Sequence, residues 1–290
     1  MYYCSTSLVV NCPRFPTVKL MPRLHALIVA ALASLLVPTL ASTSPPLATA
    51  HQSQTTSTSL KAPTPLPSNQ RILQMLSSLD YLPLAFVSSS PVTASPYLTP
   101  GHYKWRWPVP PALTHLWSPS ASSEIEGAAI MTFDNLHNIP PTTTPSTRFI
   151  TALLSDVNAH HLAPQAYDYV YVSTSRPERT YLYVNGRLAF STLANTGVAS
   201  APTELTSSPV YLRYTTTTMQ GTYPWGGHYY DTGIPWVSYF LRGEALHGFI
   251  RPGYGYPQSL GCVEMPFAAA HTIWEHSPIG TIVTVSLERP

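Results

Sequence analysis

From about residue 168 to residue 287 the chain is cut into short β-forming runs by glycine and proline turns. No other feature limits its folds as much. Residues 169–172 and 181–184 are rich in Tyr and Val, and further runs fall at 187–192, 210–214, 236–241, 245–250 and 282–287. Asn185-Gly186 stands between the second and third runs. That dipeptide is the strongest short hairpin signal, because a two-residue turn of the right twist needs φ > 0 at both positions. Only one helix is expected here, at 266–275, with Pro266 suited to its first turn. Many short strands between such turns imply a sandwich or barrel-like β domain.

The preceding stretch has a different period. Ile72, Leu73, Leu76 and Leu79 recur on one helical face within 69–79, with Ser68 placed to cap it. A second helical pattern covers 125–136, with Ile130, Phe133 and Leu136 inward, and a third covers 147–157, with Phe149, Ile150, Leu153, Leu154 and Val157. A Pro- and Trp-rich loop holding Trp105, Trp107 and Trp117 separates the first two. The expected architecture is α+β: a small three-helix unit at 69–160, then the β-rich domain at 168–287.

Composition excludes several classes. Charged residues make up 10% of the 290, against about 25% in ordinary globular domains. The net charge is +2, so no basic excess points to nucleic acid. Neither charged heptads nor a series of apolar spans is present, which argues against a coiled coil and a polytopic membrane protein.

The N-terminal region reads as an export signal. Arg14, Lys19 and Arg23 precede an apolar run at 24–40, and Thr39-Leu40-Ala41 supplies small residues for cleavage. Met21 is an alternative start. Residues 1–41 are therefore expected to be a signal peptide or an uncleaved membrane anchor. Residues 42–68, rich in Ser, Thr and Pro, read as a disordered linker. Of the three cysteines, Cys4, Cys12 and Cys262, cleavage would leave Cys262 alone. A lone cysteine in an exported protein cannot form an intrachain disulfide. It is then either a small buried hydrophobe or a nucleophile.

The segment EALHGFIRPGYGYPQSLGCVEMP holds the candidate chemistry. His247 ends an expected strand, and Cys262 follows fifteen positions later, just ahead of the expected helix. A thiol must lose its proton before it attacks a carbonyl. His247 would accept that proton, and a helix N-terminus would favour the thiolate. Gly261 lets the backbone approach a substrate, so the Gly261 and Cys262 amides are candidate oxyanion donors.

This string resembles the signature of the L,D-transpeptidase catalytic domain, the YkuD-like family, in which a His-Gly precedes a Ser-His-Gly-Cys block. The run YVYVSTSRPERTYLYVNGRLAFSTLANTG is similar to the family's opening hairpin, WVSYFLRGEALHG to the strand pair leading to the histidine, and GTIVTV to the closing strand. The resemblance implies an acyl transfer in which a cysteine attacks a peptidoglycan tetrapeptide stem, terminal D-alanine leaves, and an amine resolves the thioester. By position, Cys262 is the nucleophile and His247 the base, while Ser259, Leu260, Gly261 and Gly248 shape the site. Tyr239, Arg251 and Glu264 are candidate substrate-binding residues. The implied partners are stem peptides, glycan and carbapenem-type inhibitors, outside the cytoplasm, with no metal or organic cofactor.

Two positions depart from the family pattern. Leu260 replaces the histidine before the glycine, although its carbonyl could still orient the base. Glu264 replaces a common Arg or Asn, which would raise the thiol pKa, favour a charged His247 and disfavour a substrate carboxylate. Arg251 or Arg242 would supply the missing positive charge. Two other readings stay open: an L,D-carboxypeptidase, and a wall-binding protein whose catalytic fold is inactive. The strings LQMLSSLDYLPL, GAAIMTFDNLHNIP and FITALLSDV of the helical unit resemble a peptidoglycan-binding domain. The spacing of His160, His161, His228, His271 and His276 matches no metal-ligand pattern. Asp231 and Glu244 could orient His247, but such carboxylates are more often solvated.

Overall fold

The computed structural model describes residues 65–119 and 122–290. The expected export segment 1–41, most of the linker 42–68, Cys4 and Cys12 lie outside the described residues. Among the described residues no helix is long and apolar enough to cross a membrane.

Three serines start the three main helices. Ser68 caps α1 (Asn69–Ser78), Ser123 caps α3 (Glu124–Leu136) and Ser146 caps α4 (Thr147–Ala159), each side chain accepting a backbone N–H of the first turn. The Pro- and Trp-rich segment is not a loop. It contains an antiparallel pair, β1 (Leu84–Ser88) and β2 (Gly101–Trp105), and a single helical turn, α2 (Pro111–Thr114). Arg71 organises it from below. Its buried guanidinium donates to the Ser95 and Thr93 carbonyls at 2.8 and 2.7 Å, to Thr99 Oγ1 at 2.8 Å and to Gln74 Oε1 at 2.7 Å.

Two sheets follow. The first has five strands in the order β5-β4-β3-β11-β6. They are β3 (Asp168–Ser173), β4 (Arg179–Val184), β5 (Arg187–Leu193), β6 (Thr206–Pro209) and β11 (Ile282–Ser286). The β4–β5 turn forms as the sequence predicts, with φ of 49° at Asn185 and 75° at Gly186. The second sheet runs β10-β9-β8-β7, from β7 (Leu212–Thr222), β8 (His228–Leu241), β9 (Glu244–Gly248) and β10 (Val263–Met265). Helix α5 (Phe267–Glu275) packs on β8 and β9. Both sheets are open, so the domain is not a closed barrel.

Strand alternation explains how the layers stack. On β3, Val170 and Val172 point into a core with Phe240, Leu246, Val263, Met265 and Ile273, between the two sheets. Tyr169 and Tyr171 point the opposite way, into a core with Ile72, Leu76, Phe133, Phe149 and Leu153 of the helices. The three helices therefore do not enclose a core of their own. They share one with the outer face of the five-stranded sheet. Gly280 lies against α3 so closely that a Cβ there would sit 2.1 Å from Thr132 Oγ1.

Candidate active site

The site forms where β9 and β10 lie side by side. They pair in parallel, with Val263 opposite Leu246 and Glu264 opposite His247. Cys262 directly precedes β10 and His247 lies within β9, so both reach one cleft of about 530 Å³. The cleft also takes Gly243, Arg251, Leu260, Glu264 and Tyr239, and its far wall is the tip of the β7–β8 hairpin. Gly248 is needed for packing rather than as a lining group, because a Cβ there would meet Phe267 Cδ1 at 2.9 Å.

His247 is fully buried, and its Nδ1 lies 3.1 Å from the Gly248 carbonyl. A carbonyl only accepts, so Nδ1 carries the proton and Nε2 of the neutral ring keeps its lone pair for base chemistry. The carbonyl beside the base thus belongs to Gly248, where the sequence suggested Leu260. Burial holds the imidazole below its ordinary range, while the Gly248 carbonyl and the Glu264 and Asp231 charges pull it back up.

The helix N-terminus expected beside Cys262 is not there. Val263 and Met265 are drawn into the core as strand residues, and α5 starts only at Phe267. Burial instead pushes the thiol up to about 12, and the Glu264 and Glu244 carboxylates push the same way. The thiol's hydrogen-bond partner is the Gly243 carbonyl at 3.8 Å. The resting pair is therefore a neutral thiol and a neutral imidazole. Alkylation of Cys262 by iodoacetamide should then climb about tenfold per pH unit through the mildly alkaline range, because the thiolate is the reactive form. A plateau near neutrality would indicate a preformed thiolate instead.

Ser259 braces the turn that carries the cysteine. Its buried hydroxyl donates to the Cys262 carbonyl at 2.5 Å and accepts from the Gly261 N–H at 3.3 Å. Gly261 has φ of 111°, a conformation that side-chain-bearing residues avoid. With its amide turned to Ser259, the Cys262 N–H is the better placed oxyanion donor of the two. The Asn195-Thr196-Gly197 segment supports this turn from outside. Asn195 exchanges both backbone hydrogen bonds with Glu264 at 2.9 Å, and the Thr196 carbonyl accepts from Ser259 N at 3.0 Å. Sequence reading gave Asn195 no role, nor Glu178, whose buried carboxylate accepts from Thr196 N at 2.7 Å.

The charges at the departing positions pair with each other. Arg251 grips Glu264 with two hydrogen bonds of 2.7 Å and lies 4.6 Å from the centre of the Phe249 ring. Its charge is thus spent within the protein and not offered to a substrate carboxylate. Arg242 pairs with the exposed Glu204 at 3.3 Å. Glu244 accepts from the Glu204 N–H at 3.2 Å and does not orient His247. Among the described residues no three His, Cys, Asp or Glu side chains gather as a metal-ligand group.

Comparison with known proteins bears on the same stretch. Residues 167–285 match the family model of YkuD, the L,D-transpeptidase catalytic domain. No curated protein matches the chain. Among solved structures, the catalytic domain of an E. faecium L,D-transpeptidase aligns at 21% identity over 43% of this chain and 100% of its own, with a TM-score of 0.37. Mycobacterium tuberculosis L,D-transpeptidase 3, solved with a faropenem-derived adduct, aligns at 19% identity over 42% of this chain and 60% of its own, with a TM-score of 0.38. An L,D-transpeptidase from Stackebrandtia nassauensis aligns at 17% identity over 77% of this chain and 93% of its own, with a TM-score of 0.33. The stretch that builds the cleft, residues 167–285, is thus the part of this chain that resembles an L,D-transpeptidase catalytic domain.

Proposed function

We propose that this protein is an exported cell-wall L,D-transpeptidase that acts through Cys262. The observation that carries the reading is the placement of Cys262, just before β10, and His247, on the neighbouring β9, at one cleft inside the stretch that matches the catalytic domain. As the Cys262 sulfur attacks the stem carbonyl, its proton passes to His247 Nε2. The Cys262 N–H supports the tetrahedral oxyanion. Collapse breaks the amide bond, and terminal D-alanine leaves with the proton from the imidazolium. An acceptor amine then attacks the thioester, gives its proton to His247 and returns the thiol.

A neutral starting pair suits this order, because the proton moves only once a substrate is in place. Penem and carbapenem rings offer a comparable acyl carbon, and solved L,D-transpeptidases of other organisms carry imipenem, ertapenem and a faropenem-derived adduct. We therefore include acylation of Cys262 by carbapenems in the proposal. The helices at 69–160 would bind peptidoglycan and hold substrate near the cleft.

The test incubates the purified protein with a disaccharide tetrapeptide and a labelled D-amino acid, beside Cys262→Ala, and reads the products by mass spectrometry. Label exchange or dimer formation that vanishes in the variant is the expected result. Loss of D-alanine without exchange would identify a carboxypeptidase. Absence of any acyl-enzyme on the folded protein would leave the inactive wall-binding reading.

A further inference from the structure

The wall of the cleft opposite Cys262 has its own chemistry. Tyr223 and Trp225, at the tip of the β7–β8 hairpin, stack with ring centres 5.1 Å apart, and Tyr229 closes on Tyr223 at 5.4 Å. Trp225 is 67% exposed. Tyr229 and Asp231 are two apart on β8 and therefore share a face. All four side chains line the cleft. Gly221 sits opposite Tyr229, whose ring lies where a Cβ would be, with Tyr229 Oη only 2.6 Å away. The small residue lets the ring lie across the hairpin.

Asp231 is exposed and belongs to none of the ion pairs among the described residues. Its charge nonetheless reaches Tyr229, His247 and Arg251, all of whose pKa values it raises. The other charged groups lining the cleft, Arg251 and Glu264, neutralise each other. The cleft thus presents one uncompensated carboxylate beside three aromatic faces. That combination suits a cation, since ring faces and a carboxylate both attract an ammonium.

We propose that Tyr223, Trp225, Tyr229 and Asp231 form an ammonium-binding subsite that docks the acceptor amine. The inference rests on the transpeptidase reading and adds the acceptor half of the site to it. The amine arrives as an ammonium held by Asp231. The ammonium loses one proton to solvent, and the freed amine attacks the Cys262 thioester, giving its second proton to neutral His247, which passes it to the departing thiolate.

The readout is the ratio of aminolysis to hydrolysis of the acyl-enzyme. Both routes use His247, so the ratio isolates acceptor docking from general damage to the base. For Asp231→Asn the ratio should fall about five- to tenfold at subsaturating amine, through a higher KM for the amine. Asp231→Glu should recover part of it. An unchanged ratio in Asp231→Asn would overturn the subsite. A direct measurement keeps the two readings apart. Nα-acetyl-lysine should bind the full-length protein more tightly than it binds Asp231→Asn, by calorimetry, while Nα-acetyl-norleucine should not distinguish them. If no acyl-enzyme forms at all, the transpeptidase reading fails, and equal affinity of both proteins for Nα-acetyl-lysine would then sink the subsite as well.

Discussion

His247→Gln should slow acylation of Cys262 by about a thousandfold, within the range that a positioned general base contributes. The ordinary thiol–imidazole ion pair is not what is lost, because burial pushes the thiol up to about 12 and keeps the imidazole below its usual range. The variant loses the acceptor of the proton released during attack. Wild-type acylation should therefore show an acid limb below the ordinary imidazole range, where His247 becomes charged and can no longer accept. In His247→Gln that limb should disappear. Stopped-flow acylation across a pH series measures both. A variant with wild-type rates would remove His247 from the mechanism. The depressed pKa also bears on folding. On acidification the unfolded chain takes the proton before the buried native imidazole does, so stability should fall as pH drops below about 6.5.

The second large effect concerns the Arg251–Glu264 pair. The two side chains differ in burial, at 27% exposure for Arg251 and 5% for Glu264. Arg251→Met would strand a carboxylate in the core and should cost about 3–5 kcal/mol in stability, the usual penalty for breaking a buried pair. Glu264→Gln leaves a guanidinium that can turn towards water, and should cost less. The double variant should regain most of the loss. Denaturant unfolding of the four proteins gives the coupling, and additive losses would show that the two groups act independently. Glu264→Gln should also lower the Cys262 thiol pKa and speed its alkylation, because the carboxylate raises it.

Regular elements with their own local signals could be read from the chain. Ser68 marked the start of α1, apolar periodicity marked α3 and α4, and Asn185-Gly186 marked the β4–β5 turn. What escaped depended on pairing at a distance. Helix α5 lies where the sequence placed it, but strand β10, between it and the cysteine, has three residues, too few to show a period. The β7–β8 hairpin runs well past the expected 210–214, because much of it is exposed and its run of threonines has no apolar alternation. Strands β1 and β2 hid among prolines, and Arg71 holds the segment between them through backbone carbonyls that no side-chain pattern reveals. In the site, Cys262, His247 and Ser259 stood out through the resemblance of one segment to the family signature, not through spacing alone. The engagement of Arg251 with Glu264, thirteen positions apart around Pro-Gly turns, needed the folded chain.

Tyr169 and Tyr171 turn away from the catalytic core and bury themselves among the helices that precede the sheet. Removal of the front segment would leave those rings and Ile282 facing water, at about 1.5–3 kcal/mol for each large side chain. The helices and the sheet therefore share their stability, and a change of residue on α3 or α4 alters the packing of β3 and β11.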